Sequence, residues 1–204
     1  MILIWILAFV VAITIHEASH AYMADRLGDP TPKLMGRLSL NPLVHYDPVG
    51  TTLLLALSIM RALGAPVIPF GWAKPVEFDP YNLKNPRRDS ALISFAGPAS
   101  NLVLALIVSI LARMFSFLTP FVVPFIILNV SLAIFNLIPI HPLDGGKILV
   151  GILPQKYAYD VENFLRRFGT IILFLLIFPT FGGSSFVGSL ISPVINLFLI
   201  ILIP

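Results

Sequence analysis

Long apolar runs, separated by short polar stretches rich in proline and glycine, dominate the chain. Several of these runs approach the roughly 20 residues that an α-helix needs to cross a bilayer. The pattern predicts apolar helices at residues 2–23, 91–117, 121–139, 168–181 and 186–204. We therefore predict an all-α polytopic membrane protein, a bundle of four to six apolar segments that forms a single domain over residues 1–204.

The stretch from residue 43 to residue 90 departs from this pattern. Within residues 43–63, the purely apolar part covers only about residues 49–60, which is short for a crossing. Residues 64–90 contain five prolines and end in a basic cluster, as expected of a loop. We expect either a re-entrant element in this stretch or a short strand hairpin around residues 70–76.

Composition places the chain in a membrane and removes several functions. Hydrophobic residues make up 57% of the sequence and charged residues only 11%, unlike an ordinary soluble domain. The 13 Lys and Arg residues cluster in a few loops beside apolar runs, where they act as topology signals, so we expect no nucleic-acid partner. The absence of cysteine excludes disulfides, thiolate metal ligands and a cysteine nucleophile. The first apolar run lacks a basic leading region and carries His16 and Glu17, so we interpret it as a retained helix and not as a signal peptide.

This first run contains the sequence His16-Glu17-Ala18-Ser19-His20. Histidines four residues apart lie on one helix face and can share one ion, and Glu17 beside the first can hold a water. In such sites zinc lowers the pKa of its water to about 7 and polarises the scissile carbonyl, while the glutamate transfers the proton. Insertion of each charged group into an apolar helix costs about 2.5–3.5 kcal/mol, which favours a functional pattern over a chance one. We predict one zinc ion bound by His16 and His20, with Glu17 as catalytic base.

A catalytic zinc usually has three protein ligands, so a third must come from elsewhere in the chain. Asp144 is the carboxylate that directly follows a long apolar block without basic neighbours. The alternative for Asp144 is a plain helix-ending turn with Gly145-Gly146 as its cap, and such a turn is also compatible with ligation. His141 is an alternative third ligand, and His45 is a weaker one.

Four segments together resemble the site-2 protease family of intramembrane metalloproteases. They are His16 to His20, the stretch from Asn41 to Gly50, Gly97-Pro98-Ala99-Ser100-Asn101, and the stretch from Asn136 to Gly146 with its Leu-Asp-Gly core. The resemblance covers about residues 1–150 and implies that His16, His20 and Asp144 bind the zinc while Glu17 is the catalytic base. It also implies a compact form without peptide-binding or nucleotide-sensing accessory domains.

The same resemblance implies roles for two asparagines and one loop. It assigns Asn101 and Asn136 to the substrate backbone or to the developing oxyanion, and interhelical hydrogen bonding is the alternative for both. The segment from Gly71 to Val76 resembles the family's membrane-associated strand region, which presents an extended substrate by strand addition. A plain connecting loop is the alternative for this segment.

The predicted ligands must meet at one depth in the membrane, and this requirement predicts a topology. His16 and His20 lie near the C-terminal end of the first helix, and Asp144 follows the end of the block at residues 121–139. Both helices must then end on the same side, which requires that residues 43–63 do not cross. Basic loops follow both helices, so we predict the active site toward the cytoplasmic side of the cell membrane, about 6–12 Å inside the boundary.

These features predict a zinc-dependent endopeptidase that hydrolyses peptide bonds in or near transmembrane segments of membrane proteins. Its catalytic core would cover about residues 1–150, followed by an apolar hairpin at about residues 168–204. A catalytically idle protein with a structural metal is disfavoured because such a site needs no base like Glu17. A transporter would spread polar residues through several helices, whereas here they concentrate in two motifs. The substrate and the oligomeric state stay open.

Overall fold

A computed structural model of the chain describes residues 2–64, 71–178 and 185–204. Within these ranges the fold is all-helical, which confirms the predicted class. The α-helices are α1 (Ile2–Leu27), α2 (Thr31–Leu34), α3 (Gly50–Ala62), α4 (Pro86–Met114), α5 (Thr119–Asn136), α6 (Asp144–Ile152), α7 (Gln155–Ile177) and α8 (Phe186–Leu202). Short 3-10 turns cover Pro42–His45, Pro80–Asn82 and Ser116–Leu118.

Three stretches in these ranges are long and apolar enough to cross a membrane: Ile2–Leu27, Pro86–Met114 and Ser116–Asn136. α8 is apolar but shorter, with 17 residues. α4 begins five residues before the predicted start, because Pro86 suits the first helical turn and the Asp89 carboxylate accepts a hydrogen bond from the Asn85 N–H at 2.8 Å. The described residues therefore contain three helices long and apolar enough to span a membrane, as expected of a membrane protein, and the count of four to six apolar segments stays a prediction.

Beyond residue 139, two helices differ from what the sequence indicated. Asp144 begins α6, so Gly145-Gly146 lies in the first turn of a helix and does not cap one. α7 begins at Gln155, well before the predicted start at residue 168. Its polar first half escapes a search for apolar runs, yet Ala158, Val161 and Leu165 follow a helical spacing and pack on α6.

The region between residues 43 and 90 holds α3 and an irregular segment. α3 has 13 residues, about 20 Å of helix, which is shorter than a bilayer core of about 30 Å and agrees with the expectation that it does not cross. Residues 71–79, named here the cover segment, contain no strand. The predicted hairpin is thus wrong for residues 71–76, and its residue 70 lies outside the described residues.

Packing inside the bundle uses small and polar side chains, while large apolar side chains point outward. α4 packs against α1, α5 and α6, and α1 also contacts α5. Every fourth residue of α1 is buried in this contact, in the row Ala8, Ala12, His16, His20 and Ala24. Exposed side chains include Ile107 and Ile110 of α4 and Ile200 and Ile201 of α8. This distribution is typical of helices that associate in lipid, where small residues let backbones approach closely.

Candidate active site

The two motif histidines face α4 across a very short gap at Gly97. A Cβ at position 97 would lie 2.4 Å from Nε2 of His20 and 2.8 Å from Cε1 of His16. Because real Cβ contacts of that length do not occur, only glycine lets α4 approach both imidazole rings this closely. The glycine of the Gly97-Pro98 pair therefore makes room for the histidine side chains.

Asp144 reaches the histidines because α6 begins against the end of α5. A Cβ at Gly145 would lie 2.2 Å from the Ile138 carbonyl oxygen and 2.4 Å from that of Leu137, so glycine is needed for this packing. The approach places Oδ2 of Asp144 3.1 Å from Nε2 of His16 and 3.3 Å from Nε2 of His20. The aspartate predicted as third ligand thus joins the histidines in one cluster.

The spacing within this cluster matches the requirements of a metal centre. One ligand atom from each of His16, His20 and Asp144 lies within 4.8 Å of the others. Ligands about 2.0–2.1 Å from a tetrahedral zinc stand about 3.3 Å apart, close to the two measured Nε2–Oδ2 distances. Two imidazoles and a carboxylate form a donor set that suits zinc, so the residues fit the ion that the motif predicts.

Hydrogen bonds behind the histidines fix which ring nitrogen faces the cluster. Nδ1 of His20 donates to the Ile93 carbonyl at 2.7 Å. Nδ1 of His16 donates to Oδ1 of Asn101 at 2.6 Å, and the Asn101 amide donates in turn to the Ala12 carbonyl at 2.9 Å and to Oδ1 of Asn129 at 2.7 Å. Both histidines therefore carry the proton on Nδ1 and present a free Nε2 lone pair to a metal, as ligand histidines do.

This network changes the interpretation of the two asparagines. Asn101 is fully buried, its amide group is hydrogen-bonded to His16, Ala12 and Asn129, and it is not among the residues that line the cavity beside the cluster. Asn136 instead lines the cavity beside the cluster and donates one hydrogen bond to Leu132 in its own helix at 3.0 Å. Of the two asparagines, only Asn136 lies where a substrate in the cavity could contact it.

Glu17 lies next to the cluster without belonging to it. Its side chain lines the same cavity, and Oε2 accepts a hydrogen bond from the Val76 N–H at 3.0 Å. A carboxylate beside a metal centre, held by a backbone amide and open to a cavity, can take up and release a proton. The contact also shows that the cover segment passes directly over Glu17.

The cavity at the cluster, named here the catalytic cleft, has a volume of about 130 Å³. It is lined by His16, Glu17, His20, Pro75, Val76, Phe78, Ser94, Asn136, Pro142, Asp144 and Lys147. Since one water occupies about 30 Å³ of liquid, the cleft admits a few waters or a short piece of extended backbone. A helix about 10 Å across does not fit.

Three residues of the cleft were not predicted from the sequence. Ser94 is buried, and its hydroxyl has no hydrogen-bond partner among the residues that the structure describes. Phe78 and Lys147 form part of the wall, with the Lys147 ammonium 4.6 Å from the Phe78 ring centre. These side chains carry no motif, and only the approach of α4, α6 and the cover segment brings them together.

Asp29, just past the end of α1, anchors the cover segment. Its Oδ2 accepts from the Asp79 N–H at 2.8 Å, and its Oδ1 accepts from the Thr31 hydroxyl at 2.6 Å and from the Asn82 amide at 2.8 Å. Burial raises the pKa of the Asp29 carboxyl, but the hydrogen bonds from Thr31, Asn82 and Asp79 outweigh burial and leave the pKa lowered. The Asp29-Pro30-Thr31 sequence is a turn signal that marks this site locally, although its distant partners leave no trace in the sequence.

The alternative histidine ligands lie away from the cluster. His45 is buried and its Nε2 bonds the Ser39 carbonyl at 2.9 Å, while its backbone carbonyl accepts from the Lys74 N–H of the cover segment at 3.0 Å. His141 lines a separate, larger cavity and is absent from the metal-ligating group found in the described residues. Neither histidine therefore competes with Asp144 in this structure.

The fold and the cluster define a class of protein: a polytopic membrane protein with two histidines and an aspartate arranged for a metal and a glutamate beside them, as in metallopeptidases. The model of "Peptidase family M50", the site-2 protease family, matches residues 4–121 and 113–176. The chain belongs to this family, as its motifs predicted.

Individual relatives carry related names. The chain is 37% identical to "Putative zinc metalloprotease YwhC" of Bacillus subtilis, over 88% of this chain and 81% of that protein. It is 33% identical to "Putative zinc metalloprotease Rip2" of Mycolicibacterium smegmatis, over 89% and 69% of the two chains. With "Zinc metalloprotease MJ0392" of Methanocaldococcus jannaschii it shares 25% identity over 76% of this chain and 37% of that protein. No solved structure matches the chain.

Proposed function

We propose that this chain is a zinc-dependent intramembrane endopeptidase, a single domain over residues 1–204 that hydrolyses peptide bonds in or near transmembrane segments of membrane proteins. The observation that carries the proposal is the convergence of His16, His20 and Asp144 at the spacing of zinc ligands. Membership of peptidase family M50 and the names of the relatives support both the ion and the reaction.

His16, His20 and Asp144 hold one zinc ion per chain in this proposal, and Glu17 is the catalytic base. Bound zinc supplies a Lewis acid that polarises the scissile carbonyl. Glu17 takes a proton from the attacking water and passes it to the leaving amine nitrogen, since its carboxylate opens into the catalytic cleft. Asn136, the asparagine that lines the cleft, donates to the substrate backbone or to the developing oxyanion.

The substrate reaches the cleft as extended chain. In a helix, each backbone carbonyl is already hydrogen-bonded and shielded by its neighbours. The catalytic cleft of about 130 Å³ has no room for a helix, so the segment to be cut unwinds first. The cover segment borders the cleft through Pro75, Val76 and Phe78 and has to accommodate the incoming chain.

The cleft faces the cytoplasmic side of the cell membrane in this proposal. With α3 not crossing, α1, α4 and α5 form three spans, so α1 and α5 end on one side and place His20 and Asp144 at one depth. His16 and His20 lie about 16 and 10 Å from the end of α1 at Leu27, and the depth of about 6–12 Å inside the membrane boundary stays part of the proposal. Basic residues in the loops on this side favour the cytoplasm.

A cysteine-labelling experiment tests this topology. A single cysteine at position 85 should resist membrane-impermeant thiol reagents added to intact cells, and labelling from outside would contradict the proposed topology.

Removal and return of the metal test the proposed function. The purified protein is given a model peptide with one membrane-spanning segment, and cleavage is followed by mass spectrometry. We expect a strong chelator to abolish cleavage and about one equivalent of zinc per chain to restore it. Cleavage that survives complete removal of the metal would contradict the proposal.

A further inference from the structure

We infer that a basic cavity beside the catalytic cleft binds acidic residues flanking the cleaved segment, and thereby selects substrates with an acidic flank. This inference rests on the proposed function. It deepens that proposal because it names a substrate class.

The cavity, named here the basic vestibule, has a volume of about 790 Å³. Four cationic side chains from three helices line it: Arg87 and Arg88 of α4, Lys147 of α6 and Arg166 of α7. Glu162 is the acidic residue in the wall. A cavity of this size lies in the range of ligand pockets and has room for several residues of peptide.

Among the described residues Arg87, Arg88 and Arg166 have no carboxylate partner, whereas the charges of Asp144 and Glu17 act on Lys147. No ion pair involves any of the four in the described ranges, although Lys33 elsewhere on the surface pairs with Asp25 at 3.5 Å. Burial, followed by the charges of Lys147 and Arg166, lowers the pKa of His141 in the same wall, as expected where the local potential is positive. Cations gathered around one cavity attract an anionic ligand by the summed potential of their charges.

The vestibule adjoins the catalytic cleft. Phe78 and Lys147 line both cavities, and the Lys147 ammonium lies over the Phe78 ring at 4.6 Å. A peptide that leaves the cleft past Phe78 and Lys147 would therefore bring its flanking residues to the vestibule. This proximity favours a substrate over a phospholipid headgroup, since a lipid would gain nothing from a neighbouring cleft.

An acidic flank would distinguish substrates from the bulk of membrane proteins. Cytoplasmic flanks of transmembrane segments carry an excess of Lys and Arg, which the vestibule repels. Acidic flanks are therefore the minority that it attracts. The positive charge of the vestibule thus selects substrates in two ways, because it attracts acidic flanks and repels the more common basic ones.

The usual alternative is that these arginines and lysines only set membrane topology. Neighbouring residues separate the two interpretations, because Arg166 lines the vestibule whereas Arg167 lies over the Phe168 ring at 5.3 Å and does not. Lys156 likewise lies over the Tyr157 ring, outside the vestibule. Both pairs lie in basic stretches that the sequence predicts on one side of the membrane, so a charge reversal of Lys156 and Arg167 changes the charge of that side as much as a reversal of Arg87 and Arg166 and is its matched control.

The experiment uses three model peptides with one transmembrane segment and a flank of Asp, Ser or Lys residues. Cleavage is measured in a zwitterionic detergent without anionic lipid. We expect the wild type to cleave the Asp-flanked peptide with a kcat/KM about tenfold above that of the Lys-flanked one, chiefly through KM. The preference should shrink as salt rises from about 50 mM to about 500 mM.

Charge reversal completes the test. Arg87→Glu with Arg166→Glu should invert the preference, whereas Lys156→Glu with Arg167→Glu should leave it unchanged. Arg166→Gln alone should lose part of the preference, which keeps the test decisive if the double variant fails to fold.

Equal cleavage of the three peptides by active wild type would overturn the inference and leave the proposed function intact. Cleavage that persists in Glu17→Gln would instead contradict the proposed function. The third informative outcome is a charge reversal that slows all three peptides alike, and only in vesicles with anionic phospholipid. That outcome would assign the vestibule to a lipid headgroup and overturn the peptide proposal.

Discussion

The catalytic cleft has two walls that are held in very different ways. The inner wall, formed by α1, α4 and α5, joins the buried side chains of His16, Asn101 and Asn129 in one hydrogen-bond network. The outer wall, the cover segment, contains no regular structure and contacts Glu17 through one backbone hydrogen bond from Val76. His16 is thus held by a buried network of side chains, whereas the side over Glu17 is covered by an irregular segment that a few backbone hydrogen bonds hold in place.

Gly97→Ala should break the inner wall most severely. The added Cβ would collide with His20 and His16, and the backbone of α4 cannot move away without losing its packing on α1. We expect zinc affinity to fall by at least about 100-fold, with loss of cleavage. Gly188→Ala in α8 adds the same methyl group away from the cluster and should retain zinc. A Gly97→Ala variant with normal zinc content and activity would contradict the close approach described here.

Asn101→Ala should weaken the inner wall by removing a hydrogen bond, without adding a steric clash. The substitution removes the hydrogen bond that fixes the ring and proton of His16, so we expect about 10–100-fold weaker zinc binding, measured by competition with a chelator. Asn136→Ala is the matched comparison, since Asn136 lines the cleft and does not contact a ligand histidine. It should raise KM or lower kcat at unchanged zinc affinity. Equal effects of the two variants on zinc would remove the distinction between the asparagines.

Asp29→Asn should loosen the outer wall and spare the metal. Asparagine cannot accept all the hydrogen bonds that the carboxylate receives from Thr31, Asp79 and Asn82, and we expect about 1–3 kcal/mol of lost stability at neutral pH. Zinc content should not change. Asp25→Asn, which removes a surface ion pair with Lys33, should cost less than about 1 kcal/mol.

The stability difference between wild type and Asp29→Asn should also depend on pH, in a direction that the pKa of Asp29 sets. The folded-state pKa of Asp29 lies below its unfolded value of about 3.9, so its carboxylate stabilises the fold above that pH. This contribution is lost as pH falls through the folded pKa. The difference in unfolding temperature between wild type and Asp29→Asn, both free of metal, should therefore shrink below about pH 4. A difference that grows on acidification would contradict the role assigned to Asp29.

The inner wall also shows how far the sequence alone leads. His16, Glu17 and His20 were predictable because their geometry is local to one helix turn, and Asp144 followed from the family pattern. The contact of Asn101 with His16 depends on how α4 crosses α1, which no local pattern specifies. The resemblance assigned Asn101 a substrate contact, whereas the structure places it in a buried hydrogen-bond network between helices.

The outer wall and the C-terminal helices were harder to predict for two physical reasons. Anchors such as Asp29 to Asp79 join residues 50 positions apart, so nothing near Asp29 indicates its partner. Hydropathy marks lipid-facing helices but overlooks the first half of α7, which is polar and packs on α6. Glycine pairs usually favour a turn, and at Gly145-Gly146 close packing on α5 overrides that preference.

The central claim is that Glu17 acts as the base beside a zinc held by the inner wall. The most direct measurement compares cleavage of one membrane-spanning peptide by zinc-loaded wild type, Glu17→Gln and Glu77→Gln, the last an exposed glutamate of the cover segment. We expect all three to bind about one zinc per chain, and only Glu17→Gln to lose cleavage, by about 1,000-fold or more. Cleavage by Glu17→Gln at the rate of the wild type would contradict the account.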